Sequence, residues 1–248
     1  MPLKLPDNLP AIEILKNEHI FVMNDLRASM QDIRPLKILI LNLMPLKITT
    51  ETDLIRLLSN SPLQVEIEFL ALSSHSPKNT PIEHLIQFYI KFSKIKNSFY
   101  DGMIITGAPV ELLPFNEVKY WDELTRIFDW ARTHVTSTFY ICWAAQASMH
   151  HFYGIEKYPL EKKLFGVFRH TVNEPSFRLF RGFDDEFFAP HSRHTTVHAD
   201  EIRQCSDLKI LSESDEAGVY IVSSRGGREF YVTGHSEYSP LTLHNEYV

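Results

Sequence analysis

Two cysteines in 248 residues, Cys142 and Cys205, are too few for a disulfide framework and too few for a thiolate zinc site. An oxidising compartment is not implied. The chain also lacks an excess of positive charge, since 25 basic side chains against 31 acidic ones leave a formal charge of −6 and a pI near 6.0. Phosphate neutralisation needs clustered Lys and Arg, so this balance argues against nucleic acid and other polyanions as partners. Long hydrophobic runs are missing as well. The longest, Ile38 to Met44, is interrupted by Asn42 and too short to cross a bilayer, and the Pro-rich stretch Met1 to Pro10 lacks the apolar core of a signal peptide. The expectation is a cytoplasmic protein without membrane association. Neither an internal repeat nor a low-complexity segment occurs. What remains is an ordinary globular balance, 44% hydrophobic and 23% charged, at a length ample for a substantial core. Twelve histidines are the unusual item.

The first thirty-five residues, with Pro2, Pro6, Pro10 and Pro35, read as an N-terminal arm, and residues 36–248 as a single α/β domain. The aliphatic run Lys37 to Leu43 is typical of a strand buried on both faces of a parallel sheet. Thr49 to Leu58 then reads as a helix and Gln64 to Leu72 as a strand. Pro81 to Ile95 predicts one helix, with Ile82, Leu85, Ile86, Tyr89, Ile90 and Phe92 at helical intervals and Pro81 in the first turn. A strand at Met103 to Thr106, an amphipathic helix at Val118 to Val135 and a strand at Thr136 to Ile141 follow. This alternation predicts a parallel sheet with helices on both faces. The second half carries extra strands, including a hairpin in which Gly218 to Ser224 turns through Arg225 to Arg228 into Glu229 to Thr233.

Functional groups in open α/β sheets gather beyond the carboxyl ends of the strands. Three segments there carry chemistry. The first is Phe139-Tyr-Ile-Cys142-Trp-Ala-Ala-Gln146, where a strand ends on a cysteine before a helical stretch. A nucleophile on such a turn sits at a helix N-terminus, near backbone N–H groups that hold an oxyanion. A small buried residue at a strand end is the plainer alternative. The second segment is Val232 to Tyr238, in which His235 and Glu237, two apart, can lean toward one site. A carboxylate oriented on imidazole, with imidazole near a thiol, activates a cysteine. Ordinary strand-end polar residues are the alternative. The third is Ala189 to His198, read as a donor-rich loop. Its His191, His194 and His198 have a spacing that invites a metal, but Pro190, Thr195, Thr196 and Val197 argue against the helix that would align them, so no metal is expected.

A set of stretches in order along nearly the whole chain now becomes informative. They are Asn24 to Pro35, Leu41 to Pro45 with Lys47, Thr106 to Glu111, Ile141 to Trp143 with Gln146, Leu164 to Phe168, Arg181 to Asp185, Ala189 to His194, and Thr233 to His235 with Glu237 and Tyr238. In these the chain resembles the homoserine O-acyltransferase family, whose flavodoxin-like domain is related to the class I glutamine amidotransferases. The resemblance implies a flavodoxin-like, class I glutamine amidotransferase-like fold and acyl transfer from acyl-CoA through a thioester on Cys142. His235 would be the base and Glu237 its orienting carboxylate. Lys163 and Ser192 would lie in the pocket for the amino-acid acceptor. Glu111 would select the donor, because a glutamate there goes with acetyl transfer and a glycine with succinyl transfer. Its charge repels the free carboxylate of a succinyl group. The function implied is acetyl transfer from acetyl-CoA, a substrate and not a resident cofactor, to L-homoserine for methionine biosynthesis, by a homodimer.

Ala144, Ser148, Ser236 and Ser239 depart from the residues usual in that family, and the chain ends at Val248, before the family's arginine on the acceptor carboxylate. These differences cluster on the acceptor side and raise two rivals: L-serine as acceptor, for cysteine biosynthesis, and a paralogue that binds a metabolite without turnover. One methylene is worth only about 1–3 kcal/mol of discrimination.

Overall fold

A computed structural model describes residues 3–6, 8–23, 34–74 and 79–247. Asn24 to Ile33, most of the first stretch of the resemblance, and His75 lie outside the described residues. The chain forms two compact units, Met1–Ile105 with Asp122–Thr136, and Thr106–Trp121 with Ser137–Val248.

The first unit contains β1 (Leu3–Lys4), α1 (Ala11–Asn17), β2 (Val22–Met23), β3 (Leu36–Leu41), α2 (Lys47–Ser59), β4 (Val65–Ala71), α3 (Ile82–Phe88), β5 (Tyr89–Lys91), α4 (Phe92–Ile95) and β6 (Tyr100–Ile105). Its sheet is wholly parallel, in the order β2-β1-β4-β3-β6, with β5 also on β4. Leu39, Ile40 and Leu41 of β3 are fully buried, as an aliphatic run between two parallel neighbours requires. Most of α5 (Trp121–His134) also belongs here, and it buries Leu124, Ile127, Phe128 and Ala131, the i, i+3, i+4, i+7 stripe of an amphipathic helix.

The single helix expected over Pro81 to Ile95 is corrected. The helix stops at Phe88, Tyr89 turns extended at φ −113°, ψ 133°, and Tyr89–Lys91 adds to the edge of β4. Ladder hydrogen bonds to Phe69–Ala71 and the contact of the Tyr89 ring with Phe69 at 5.3 Å outweigh the helical spacing, while Ile82 and Ile86 are left exposed. Tyr89 also joins a polar cluster. Its hydroxyl donates to the fully buried Glu51 at 2.5 Å, and His84 Nε2 donates to the same carboxylate at 2.9 Å. Lys47, one turn before Glu51, is buried with its Nζ donating to Asn42 O at 2.5 Å; burial pulls its ammonium down to about 8, against the pull of Glu51. Removing one partner of a buried charge pair is costly. Glu51→Ala is expected to destabilise the protein by about 3 kcal/mol, a fall of about 6–12 °C in Tm by differential scanning fluorimetry. A shift below about 2 °C would show that Lys47 does not depend on this carboxylate.

The second unit receives β7 (Val135–Ile141) from Ser137 onward and continues through α6 (Trp143–Tyr153), β8 (Tyr158–Val172), β9 (Glu186–Thr196), α7 (Ala199–Gln204), β10 (Lys209–Ser214), β11 (Gly218–Ser224), β12 (Glu229–Val232) and α8 (Thr242–Tyr247). Its strand order is β7-β12-β11-β10-β8-β9. Only β7 and β12 run parallel, and the rest are antiparallel. The hairpin expected at Gly218 to Thr233 forms as β11 and β12. Val172, Leu211, Tyr220, Ile221, Phe230 and Val232 make the core of this sheet. The segment read as a loop, Ala189 to His198, is instead mostly β9, an eleven-residue strand paired with β8. Among the described residues no helix is long and apolar enough to cross a membrane.

Candidate active site

Pairing of β7 with β12 brings two distant stretches to one sheet end, because Ile141 lies opposite Val232. Cys142 follows at once, its N–H donating to Val232 O at 2.7 Å, and α6 begins at the next residue. Its backbone is held at φ 52°, ψ −116°, which costs an L-residue about 1–3 kcal/mol. Such strain at a strand-to-helix turn has the geometry of a nucleophile elbow. Small residues make room, since Ala144, Ala145 and Ala147 are fully buried and a Cβ on Gly107 would stand only 3.2 Å from that of Cys142. The N–H groups of Trp143 and Ala144, ahead of the bonds that Ala145 and Gln146 make to Cys142 O, suit an oxyanion.

On the other strand, β12 ends at Val232 and the chain turns through Gly234. A Cβ on Gly234 would meet Pro190 O at 2.8 Å, Tyr220 Cε2 at 2.8 Å and His191 Cε1 at 2.9 Å, so only glycine brings the chain this close to β9. That approach lets His235 N–H donate to Pro190 O at 2.9 Å. Glu237 Oε1 then sits 2.6 Å from His235 Nδ1, the Tyr238 ring stacks on the imidazole at 4.3 Å, and the Cys142 side chain interacts electrostatically with the same imidazole. Burial pushes the imidazole down, but the Cys142 sulfur and the Glu237 carboxylate outweigh it and hold its proton well above the ordinary imidazole range. Cys142, His235 and Glu237 thus form one buried line.

Glu111 stands in the turn that follows β6. His194 N–H donates to its Oε2 at 2.8 Å, and Thr195 Oγ1 lies 3.5 Å from the same oxygen. Thr195 Oγ1 also donates to Gln146 Oε1 at 2.7 Å, one turn along α6 from Cys142. Beneath them lies Arg193, 1% exposed, donating to Thr195 O at 2.6 Å and Ala217 O at 2.5 Å. Burial pulls this guanidinium down to about 10, against the attraction of Cys142 and Glu111.

Lys163 on β8 and Ser192 on β9 also come together, and they do so around a carboxylate. Ser192 Oγ donates to Glu246 Oε2 at 2.5 Å, Lys163 Nζ lies 3.7 Å from the same oxygen, and Tyr238 Oη donates to Oε1 at 2.6 Å.

The strand period decides the histidines of β9. His191, Arg193 and Thr195 are buried on one face, while Ser192, His194 and Thr196 lie on the other, so His191 and His194 point apart. His191 Nε2 is 3.0 Å from His170 Nε2 instead. Burial and the nearby Arg193 pull His191 down to about 2, and burial pulls His170 down to about 4, so both are neutral. Among the described residues no cluster of three His, Cys, Asp or Glu side chains is placed to hold a metal ion.

Sequence reasoning passed over Arg193, Thr195 and Glu246 as functional residues and named Gln146 only within a matching stretch. For Arg193 and Thr195 no apolar alternation marked the buried face, because His191 to Thr196 are all polar. Glu246 carried no local signal.

A family model described as homoserine O-succinyltransferase matches residues 2–248. Homoserine O-acetyltransferase from Parabacteroides distasonis is 66% identical over 248 residues, covering 100% of this chain and 80% of that protein. The enzyme of the same name from Bacteroides fragilis is 67% identical over 247 residues, covering 100% of this chain and 81% of its own length. Among solved structures, a glutamine amidotransferase from Thermotoga maritima aligns with TM-score 0.59 and 11% identity, over 87% of this chain and 81% of that one. Another, from Methylobacillus flagellatus, aligns at 0.54 and 12%, over 87% and 75%. These last two bear on the fold alone, an α/β architecture of the class I glutamine amidotransferase type. With a family model over residues 2–248 and relatives two-thirds identical along its length, the chain belongs to the homoserine O-succinyltransferase family.

Proposed function

We propose that this protein transfers an acetyl group from acetyl-CoA to the hydroxyl of L-homoserine through a thioester on Cys142. The observation that carries the reading is the buried line Cys142, His235, Glu237 at a strained strand-to-helix turn. The Cys142 sulfur attacks the donor carbonyl, the α6 N-terminus takes the negative charge on oxygen, and protonated His235 gives its proton to the departing CoA sulfur. His235, now neutral, removes the proton of the acceptor hydroxyl as that oxygen attacks the thioester. Splitting the transfer this way removes the need to align both substrates at once. A free thiol and a CoA donor suit a reducing cytoplasm.

Glu111 acts as the donor filter. Held by His194 N–H and Thr195, its carboxylate opposes the second carboxylate of a succinyl group. Glu111→Gly is expected to raise kcat/KM for succinyl-CoA relative to acetyl-CoA by about tenfold or more, since like charges in contact cost several kcal/mol. An unchanged ratio in steady-state assays would remove this role. Lys163 and Ser192 would receive the acceptor carboxylate, and their grip on the Glu246 carboxylate supports that chemistry. A second copy of the chain would cover Val167 and Phe188, exposed apolar residues of the β8–β9 hairpin. Light scattering would read the homodimer.

Intact-mass spectrometry after mixing with acetyl-CoA tests the central reading. One acetyl adduct on the peptide bearing Cys142 is expected. No adduct at any pH, with acetyl-CoA or succinyl-CoA, would overturn it.

A further inference from the structure

A cavity of about 480 Å³ opens in the second unit beside the Glu111 turn. Three rings stack along its wall: Trp121 on Phe115 at 5.3 Å and 24°, and Phe115 on His150 at 4.5 Å and 26°. Trp121 and His150 are half-buried, so each keeps ring surface for a further flat partner. Asn116 and Glu156 complete the lining with polar groups. His150 Nδ1 is 3.2 Å from Glu156 Oε1 but is not aligned to hydrogen-bond to it, so the ring nitrogen is left without a hydrogen-bond partner.

Two features tie this cavity to the reacting centre. Lys157, over the Phe115 ring at 5.0 Å, donates to the carbonyls of Glu111 and Leu113, so one side chain clamps the Glu111 turn and borders the cavity. Two of its three N–H donors are thereby used and one is left. His150, for its part, lies eight residues along α6 from Cys142, about 12 Å at the helical rise.

We infer that this cavity binds the adenine nucleotide end of the CoA donor, with the flexible pantetheine arm reaching past the Glu111 turn to Cys142. This rests on the acyl-transfer reading above. An adenine is the flat, amphipathic ring that such a wall takes. Its face stacks on Trp121 or His150, its edge matches the paired donor and acceptor of the Asn116 amide, and its amino group has Glu156 as acceptor. Lys157 supplies the nearby cation for phosphate.

The test compares two donors, acetyl-CoA and S-acetylpantetheine, which lacks the nucleotide. In Trp121→Leu and Asn116→Ala, the ratio of kcat/KM for acetyl-CoA to that for S-acetylpantetheine is expected to fall by about tenfold or more, through KM for acetyl-CoA. Exposed Asn116 keeps the test open should Trp121→Leu fold poorly. Adenosine 3′,5′-bisphosphate is expected to bind the wild type by calorimetry, compete with acetyl-CoA, and bind more weakly to both variants. An unmoved ratio, or no bisphosphate binding at millimolar concentration, would overturn the assignment. Failure of acyl transfer itself would show differently, as absence of a Cys142 thioester from either donor.

Discussion

Replacing Cys142 by serine is expected to lower acetyl transfer by about 10³-fold or more and to abolish the acid-stable mass adduct. A serine hydroxyl holds its proton far more tightly than a thiol, and the surrounding charge is arranged for sulfur: His235 keeps its proton beside Cys142, and buried Arg193 feels the same atom. With serine the imidazole loses the charge of the sulfur, and the first step requires removal of a proton that the alcohol holds far above the thiol range. The fold should survive. Serine fits the same turn, and the elbow is held by the Cys142 N–H bond to Val232 O, which the side chain does not make. Rapid-quench measurement of CoA release, with Tm in parallel, separates the two. Transfer within tenfold of wild type would remove Cys142 from the chemistry.

The second large effect is at Glu237. Glu237→Gln preserves size, yet it removes the charge that faces His235 Nδ1 at 2.6 Å, and a loss of about 10²–10⁴-fold in kcat is expected. Its pH signature sets this apart from simple damage. His235 has its proton affinity raised in the fold, so its contribution to stability is fully present below its unfolded value near pH 6.5 and fades as pH rises through the folded value. The variant loses part of that contribution. Its deficit in Tm should be widest at acid to neutral pH and should narrow on the alkaline side, while alkylation of Cys142 by iodoacetamide slows at neutral pH. A deficit independent of pH would mean that Glu237 is only a packing group.

The amino-acid sequence by itself determined whatever rests on local repetition. Aliphatic runs such as Ile38 to Leu41, the apolar stripe of α5 and the glycine turn between β11 and β12 are legible because helical and strand periods are properties of neighbouring residues. Cys142 was legible as a strand-end residue for the same reason. Tertiary structure alone decided the rest. Tyr89 to Lys91 left a helical pattern because an open sheet edge and a buried carboxylate were available to it. His191 and His194 parted because β9 is a strand, and Arg193 went inside because it shares the buried face of β9 with His191 and Thr195. Cys142 and His235 meet since β12 returns parallel to β7 and ends level with it. Lys163, Ser192 and Glu246 come from three elements that share no local pattern. Periodicity says which face of a segment is apolar; only the pairing of distant strands says what that face is pressed against.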